Sequence, residues 1–84
     1  MVAREIGARI GGAWMKRAAV DSSSLESVGY DPASRVMEIR FRNGGVYQYF
    51  GVAPVVYRRL MNAASKGRYF ARAVRSAHPY RRVV

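Results

Sequence analysis

Histidine occurs once in this chain, as His78 beside Pro79, and cysteine does not occur. A Ser-His-Asp relay could draw only on His78 with Asp21 or Asp31, and no motif around those residues would align them. Paired-carboxylate chemistry would draw on Glu26, Asp31 and Glu38, which read as ordinary turn and strand-surface positions. Without cysteine, disulfides and thiolate zinc sites are excluded. Gly44 and Gly45 belong to a hairpin signal, not a phosphate loop. The expectation is a non-enzymatic chain with no catalytic residue, cofactor, metal or small-molecule substrate.

The other residues suited to chemistry are cations. Of 84 residues, 15 are Lys or Arg and 5 are Asp or Glu, a net charge of +10. All the acids (Glu5, Asp21, Glu26, Asp31, Glu38) lie within residues 1–38, where five bases balance them. Residues 39–84 carry ten bases and no acid: Arg40, Arg42, Arg58, Arg59, Lys66, Arg68, Arg72, Arg75, Arg81 and Arg82. Arg suits planar, bidentate contact with phosphate or base edges better than Lys does. Uncompensated cations repel one another, and a polyanionic partner relieves that repulsion. Together with Tyr47 and Tyr49, these ten bases form the expected nucleic-acid-binding set.

The length allows one domain with a marginal core. Half of the residues are apolar and 12% are aromatic, a globular composition. No apolar run approaches the roughly 20 residues of a membrane span, and residues 1–12 lack a signal-peptide core. No membrane partner is therefore expected, and the expected compartment is the cytoplasm. Gly7, Gly11 and Gly12 interrupt the apolar spacing of residues 1–14, which read as a flexible arm ahead of a single domain over 15–84.

Within that domain, residues 25–30 read as a first strand and residues 31–34 (Asp-Pro-Ala-Ser) as a turn. Residues 35–42 alternate, with Met37, Ile39 and Phe41 on one face. Asn43-Gly44-Gly45 is a hairpin turn, and residues 46–50 return. Pro54 opens a helix over 54–64, and Gly67 follows its end. A second helix over 68–77 puts Phe70, Ala73, Val74 and Ala77 on one face and Arg68, Arg72 and Arg75 on the other. Residues 80–84 are a short strand or a loose tail. The expected fold class is α+β: a three-stranded antiparallel meander followed by two α-helices, β-β-β-α-α. Open sheet edges and a small core argue for a homodimer.

The hairpin admits more than one register. A two-residue turn at Asn43-Gly44 pairs Arg40 with Tyr47, and one at Gly44-Gly45 pairs Arg42 with Tyr47. Either puts Arg40, Arg42, Tyr47 and Tyr49 on one face, a platform of guanidinium groups and rings for nucleic acid. A three-residue turn sends both tyrosines to the core with Ile39 and Phe41.

Four stretches carry a family resemblance: Val20-Asp21-Ser22-Ser23, Gly29-Tyr30-Asp31-Pro32, residues 41–50 with the Tyr47-x-Tyr49 motif, and Ala64-Ser65-Lys66-Gly67-Arg68-Tyr69-Phe70. Over residues 16–82 the chain resembles the KTSC domain. That is a short bacterial module, named after a C-terminal extension of some lysyl-tRNA synthetases, which also occurs alone. The resemblance implies nucleic-acid binding, usually of RNA, and brings no catalytic residues. The expected function is non-enzymatic binding of DNA or RNA, as a small regulator of gene expression. The alternative is a module that docks on an acidic protein.

Overall fold

The structure, a computed structural model, describes residues 9–10 and 13–83. Most of the expected arm lies outside the described residues. Of it, β1 (Arg9–Ile10) and β2 (Ala13–Trp14) pair antiparallel as a two-stranded sheet. The main sheet is antiparallel with five strands in sequence order: β3 (Ala18–Ala19), β4 (Leu25–Asp31), β5 (Val36–Phe41), β6 (Val46–Tyr49) and β7 (Tyr80–Arg82). Helices α1 (Pro54–Asn62) and α2 (Lys66–Phe70) lie between β6 and β7 in the chain. A π-helical segment, Ala71–Arg75, continues α2.

The α+β class and the three central strands agree with the sequence reading, but the meander has five strands, not three. Ala18 and Ala19 are too short a run to show alternation, yet they pair with Val28 and Ser27. The basic tail becomes β7 because β6 offers it a free ladder edge.

The hairpin register is decided by a three-residue loop. Phe41 N–H donates to the Gly45 carbonyl at 2.9 Å, and Gly44 N–H donates to the Phe41 carbonyl at 2.9 Å. Arg42 and Asn43 form the turn, and Gly44 follows at φ +99°, the usual form of a three-residue hairpin loop. Ile39 therefore faces Tyr47, and Met37 faces Tyr49. Both tyrosines join the helix side of the sheet. Arg40 points to the other side with Glu38 and Gln48, so the expected Arg40/Arg42/Tyr47/Tyr49 face does not form.

A bulge in β4 between Leu25 and Ser27 also resets parity, so Leu25 and Val28 both face the core. The core consists of Leu25, Val28, Met37, Ile39, Tyr49, Val52, Leu60, Phe70 and Val74. Over β4, α1 docks by stacking Tyr57 on Tyr30, with centroids 4.8 Å apart and planes 10° apart. The Tyr30 hydroxyl donates to the Val52 carbonyl at 2.6 Å. Ser65 caps α2 by accepting from the Arg68 N–H at 3.4 Å.

The far side of the sheet buries a polar relay. Glu38 and Gln48 are both essentially inaccessible. Gln48 Nε2 donates to Glu38 Oε1 at 3.0 Å, and Arg17 lies 3.1 Å from Glu38 Oε2. Burial lowers the proton affinity of Arg17 by more than the Glu38 charge raises it. Gly29 lets residues 15–17 lie this close, because a Cβ there would sit 2.5 Å from the Lys16 carbonyl oxygen. Beside this relay, Arg40 pairs with Glu26 at 3.5 Å.

Nothing lies within 4 Å of a Cβ at Gly44, so Gly44→Ala is penalised by backbone conformation alone. Urea unfolding should show a loss of about 1–2 kcal/mol. Glu38→Ala strands the buried Arg17 and should cost about 3–5 kcal/mol. The double variant Arg17→Met/Glu38→Leu should recover part of that loss in the same assay.

Candidate nucleic-acid interface

The three-residue loop and the β6–β7 pairing together assemble a closed circuit of rings on the helix side. Tyr47 and Tyr49 stand on β6, and β7 sets Tyr80 opposite Tyr49 and Arg82 opposite Tyr47. Phe41 comes from the end of β5 and Phe70 from the end of α2. The centroid distances around the circuit are 5.6 Å for Phe41–Tyr47, 5.8 Å for Tyr47–Tyr80 and 5.6 Å for Tyr80–Tyr49. Tyr49–Phe70 at 5.1 Å and Phe70–Phe41 at 5.4 Å close it. Most of these pairs meet edge to face or tilted, as the ring quadrupole favours. Tyr49 is buried, which pushes its phenol above the usual tyrosine range despite the nearby Arg75 charge.

A cavity of about 290 Å³ opens among these rings, lined by Phe41, Asn43, Tyr47, Tyr49, Arg75 and Tyr80. Tyr80 is 58% exposed. Arg82 lies over Tyr47 at 5.6 Å from the ring centroid, and Arg75 over Phe70 at 5.8 Å. These are cation–π distances. The Asn43 side-chain oxygen accepts from the Gly45 N–H at 3.0 Å, which fixes its amide at the rim.

The position of Arg75 departs from the sequence reading. An α-helix advances about 100° per residue, which would set Arg75 nearly opposite Phe70. The segment instead widens into π-helix, whose i→i+5 repeat brings residues five apart to the same side. Ser76 Oγ donates to the carbonyls of Ala71 and Arg72 at 3.2 and 3.0 Å, and His78 Nδ1 contacts the Val74 carbonyl at 3.0 Å. These side chains add contacts to carbonyls of the widened turn. The helix expected over 68–77 is thus five α-helical residues followed by five π-helical ones.

The other expected site residues scatter. Arg72 sits over the Tyr69 ring at 5.4 Å, and Arg68 is exposed on the same helix. Lys66 donates to the Ala63 carbonyl at 3.1 Å. It lines, with Arg68 and the serines of residues 22–24, a wider open cleft of about 630 Å³. Arg42 at the hairpin tip is tied through Nε to the Ser22 carbonyl at 2.7 Å. Arg58 and Arg59 are exposed on α1. Arg40 and Arg81 lie on the far face, where Arg81 Nε donates to Gln48 Oε1 at 3.4 Å. Tyr47, Tyr49, Arg75 and Arg82 are therefore brought together, and the rest are not. Phe41, Asn43 and Tyr80 were missed by the sequence reading. The signal for Tyr80 was present as an aromatic residue directly before Arg81 and Arg82 in a basic tail.

Comparison with known proteins agrees with this architecture. The profile of the KTSC domain matches residues 21–78. The crystal structure of a KTSC domain protein from Yersinia pestis superposes with a TM-score of 0.80 at 41% identity, covering 83% of this chain and 99% of that one. An uncharacterized protein of Stutzerimonas stutzeri is 44% identical over 64 residues, 76% of this chain and 90% of its own length. A lysine–tRNA ligase of Nostoc sp. is 32% identical over 60 residues, 71% of this chain but 11% of the ligase. With its profile match and its fold in agreement, this chain belongs to the KTSC domain family.

Proposed function

We propose that this chain binds nucleic acid without catalysis, through the helix side of its sheet, and serves as a small cytoplasmic regulator of gene expression. The observation that carries this reading is the five-ring circuit flanked by Arg75 and Arg82. Aromatic faces beside guanidinium groups are what a nucleic-acid platform needs. Charge placement supports it. On the far face, Glu38 and Glu26 lie against Arg17 and Arg40. On the helix side, Arg68, Arg72 and Arg75 belong to a stretch of sequence without any carboxylate. The similar segment in a lysine–tRNA ligase supports RNA as one of the polymers. No helix of the described residues is long and apolar enough to cross a membrane.

Self-association is part of the proposal. The sheet ends in β3 and β7, both with exposed residues. Arg81 and Arg82 would repel their copies across a β7–β7 contact, so β3 is the edge that suits a homodimer.

The test is fluorescence anisotropy with a labelled oligonucleotide at several salt concentrations. Contacts from Arg68, Arg72, Arg75 and Arg82 to a single strand should give a log–log salt slope of about −3. Arg72→Ala should make that slope shallower by about one unit and leave thermal stability nearly unchanged. Salt-independent or undetectable binding at micromolar protein would sink the proposal. Partners that survive nuclease treatment in a pull-down would favour an acidic protein instead.

A further inference from the structure

We infer that the cavity lined by Phe41, Tyr47, Tyr49 and Tyr80 is a receptor for one unpaired nucleobase, so that this chain takes single strands in preference to duplex. The inference rests on the proposed nucleic-acid binding and goes beyond it by naming the form of the polymer and the residues that select it.

Three observations carry it. The cavity, at about 290 Å³, lies at the small end of the roughly 300–1,000 Å³ typical of ligand pockets, the scale of a single flat ring system rather than a groove for a helix. Its walls are ring faces and edges from Phe41, Tyr47, Tyr49 and Tyr80, and bases within a duplex have their faces already stacked on neighbours. Only an unpaired base can offer a face to Tyr80, whose ring is more than half exposed while its neighbours Tyr47 and Tyr49 hold it at 5.8 and 5.6 Å.

The rim supplies the polar complement. Asn43 presents an amide whose NH₂ carries two donors for a base edge, and its oxygen is already engaged by the Gly45 N–H. Arg75 lines the same cavity and is held over Phe70, where it suits the phosphate attached to a bound base. The π-helical widening at Ala71–Arg75 brings this cation to the rim, and such segments recur at functional sites. Base stacking tolerates any sequence, because every base has a π face. The receptor therefore selects strandedness before sequence.

The experiment measures binding of the full chain to three labelled probes of equal phosphate number. These are a ten-nucleotide single strand (as DNA and as RNA), a duplex, and a strand of abasic units. The single strand should bind about tenfold tighter than the abasic strand, in keeping with one base–ring stack. Tyr80→Ala should remove about that factor on the single strand and leave duplex and abasic binding within twofold. Tyr80→Trp should retain single-strand affinity. Tyr80→Leu keeps apolar bulk without a ring and should show the same selective loss, which separates stacking from folding. If these variants weaken all three probes equally, or leave the single strand untouched, the base receptor is wrong while the broader nucleic-acid reading stands. If no probe binds, both readings fall together.

Discussion

The register of one hairpin governs the rest of this molecule. Residue 44 occupies φ +99°, a conformation only glycine adopts cheaply, and this lets Arg42, Asn43 and Gly44 form a three-residue loop. Side chains in a strand alternate, so one residue more or fewer in that loop exchanges the faces of β6. With three residues, Tyr47 and Tyr49 join Met37 and Ile39, and Gln48 meets Glu38 on the other side. Both faces depend on that choice. The helix side acquires the rings that Phe70 packs against, and the far side acquires Gln48, which donates to the Glu38 that holds Arg17.

This dependence explains which parts of the fold were legible in the sequence. The alternation of Met37, Ile39 and Phe41 fixed β5, and Pro54 fixed the start of α1, because each signal is local. The loop length was not legible: Asn43-Gly44-Gly45 satisfies the dihedral demands of two-residue and three-residue turns alike. What separates them is the burial of two tyrosines against a helix that arrives later in the chain. Two further features are hidden for the same reason. The bulge at Glu26 shifts the parity of β4 without any glycine or proline to mark it. The π-helical turn has an ordinary Arg spacing at 68, 72 and 75, and only its closure by Ser76 and His78 reveals the wider repeat. The candidate site inherited these gaps. Its arginines were visible as an excess, but their division between two faces was not.

The uneven charge of the sequence acquires a physical meaning from that division. Glu38 and Glu26 are spent on Arg17 and Arg40, and the first of these pairs is buried. A buried carboxylate needs a partner, and Arg17 supplies it for Glu38. The second half supplies the helices and β7, where Arg72, Arg75 and Arg82 lie over rings. A guanidinium over a ring keeps its charge while covering apolar surface. The cations of the helix side thus cover part of its aromatic surface, while Tyr80 stays exposed.

Why the rings enclose a cavity follows from how the chain reaches β7. The helical segment ends at Arg75, and the chain must turn through Pro79 to bring Tyr80 onto the edge of the sheet. Phe50 N–H donates to the Pro79 carbonyl at 2.9 Å, which anchors this return at the far end of β6. The helices deliver Phe70 to this part of the sheet, and the remaining apolar surface is closed by strand side chains. Rings pack there at edge-to-face angles, an arrangement that leaves gaps a branched aliphatic core would fill. The aromatic set leaves Tyr80 exposed beside Arg75, and the proposed base receptor rests on that surface.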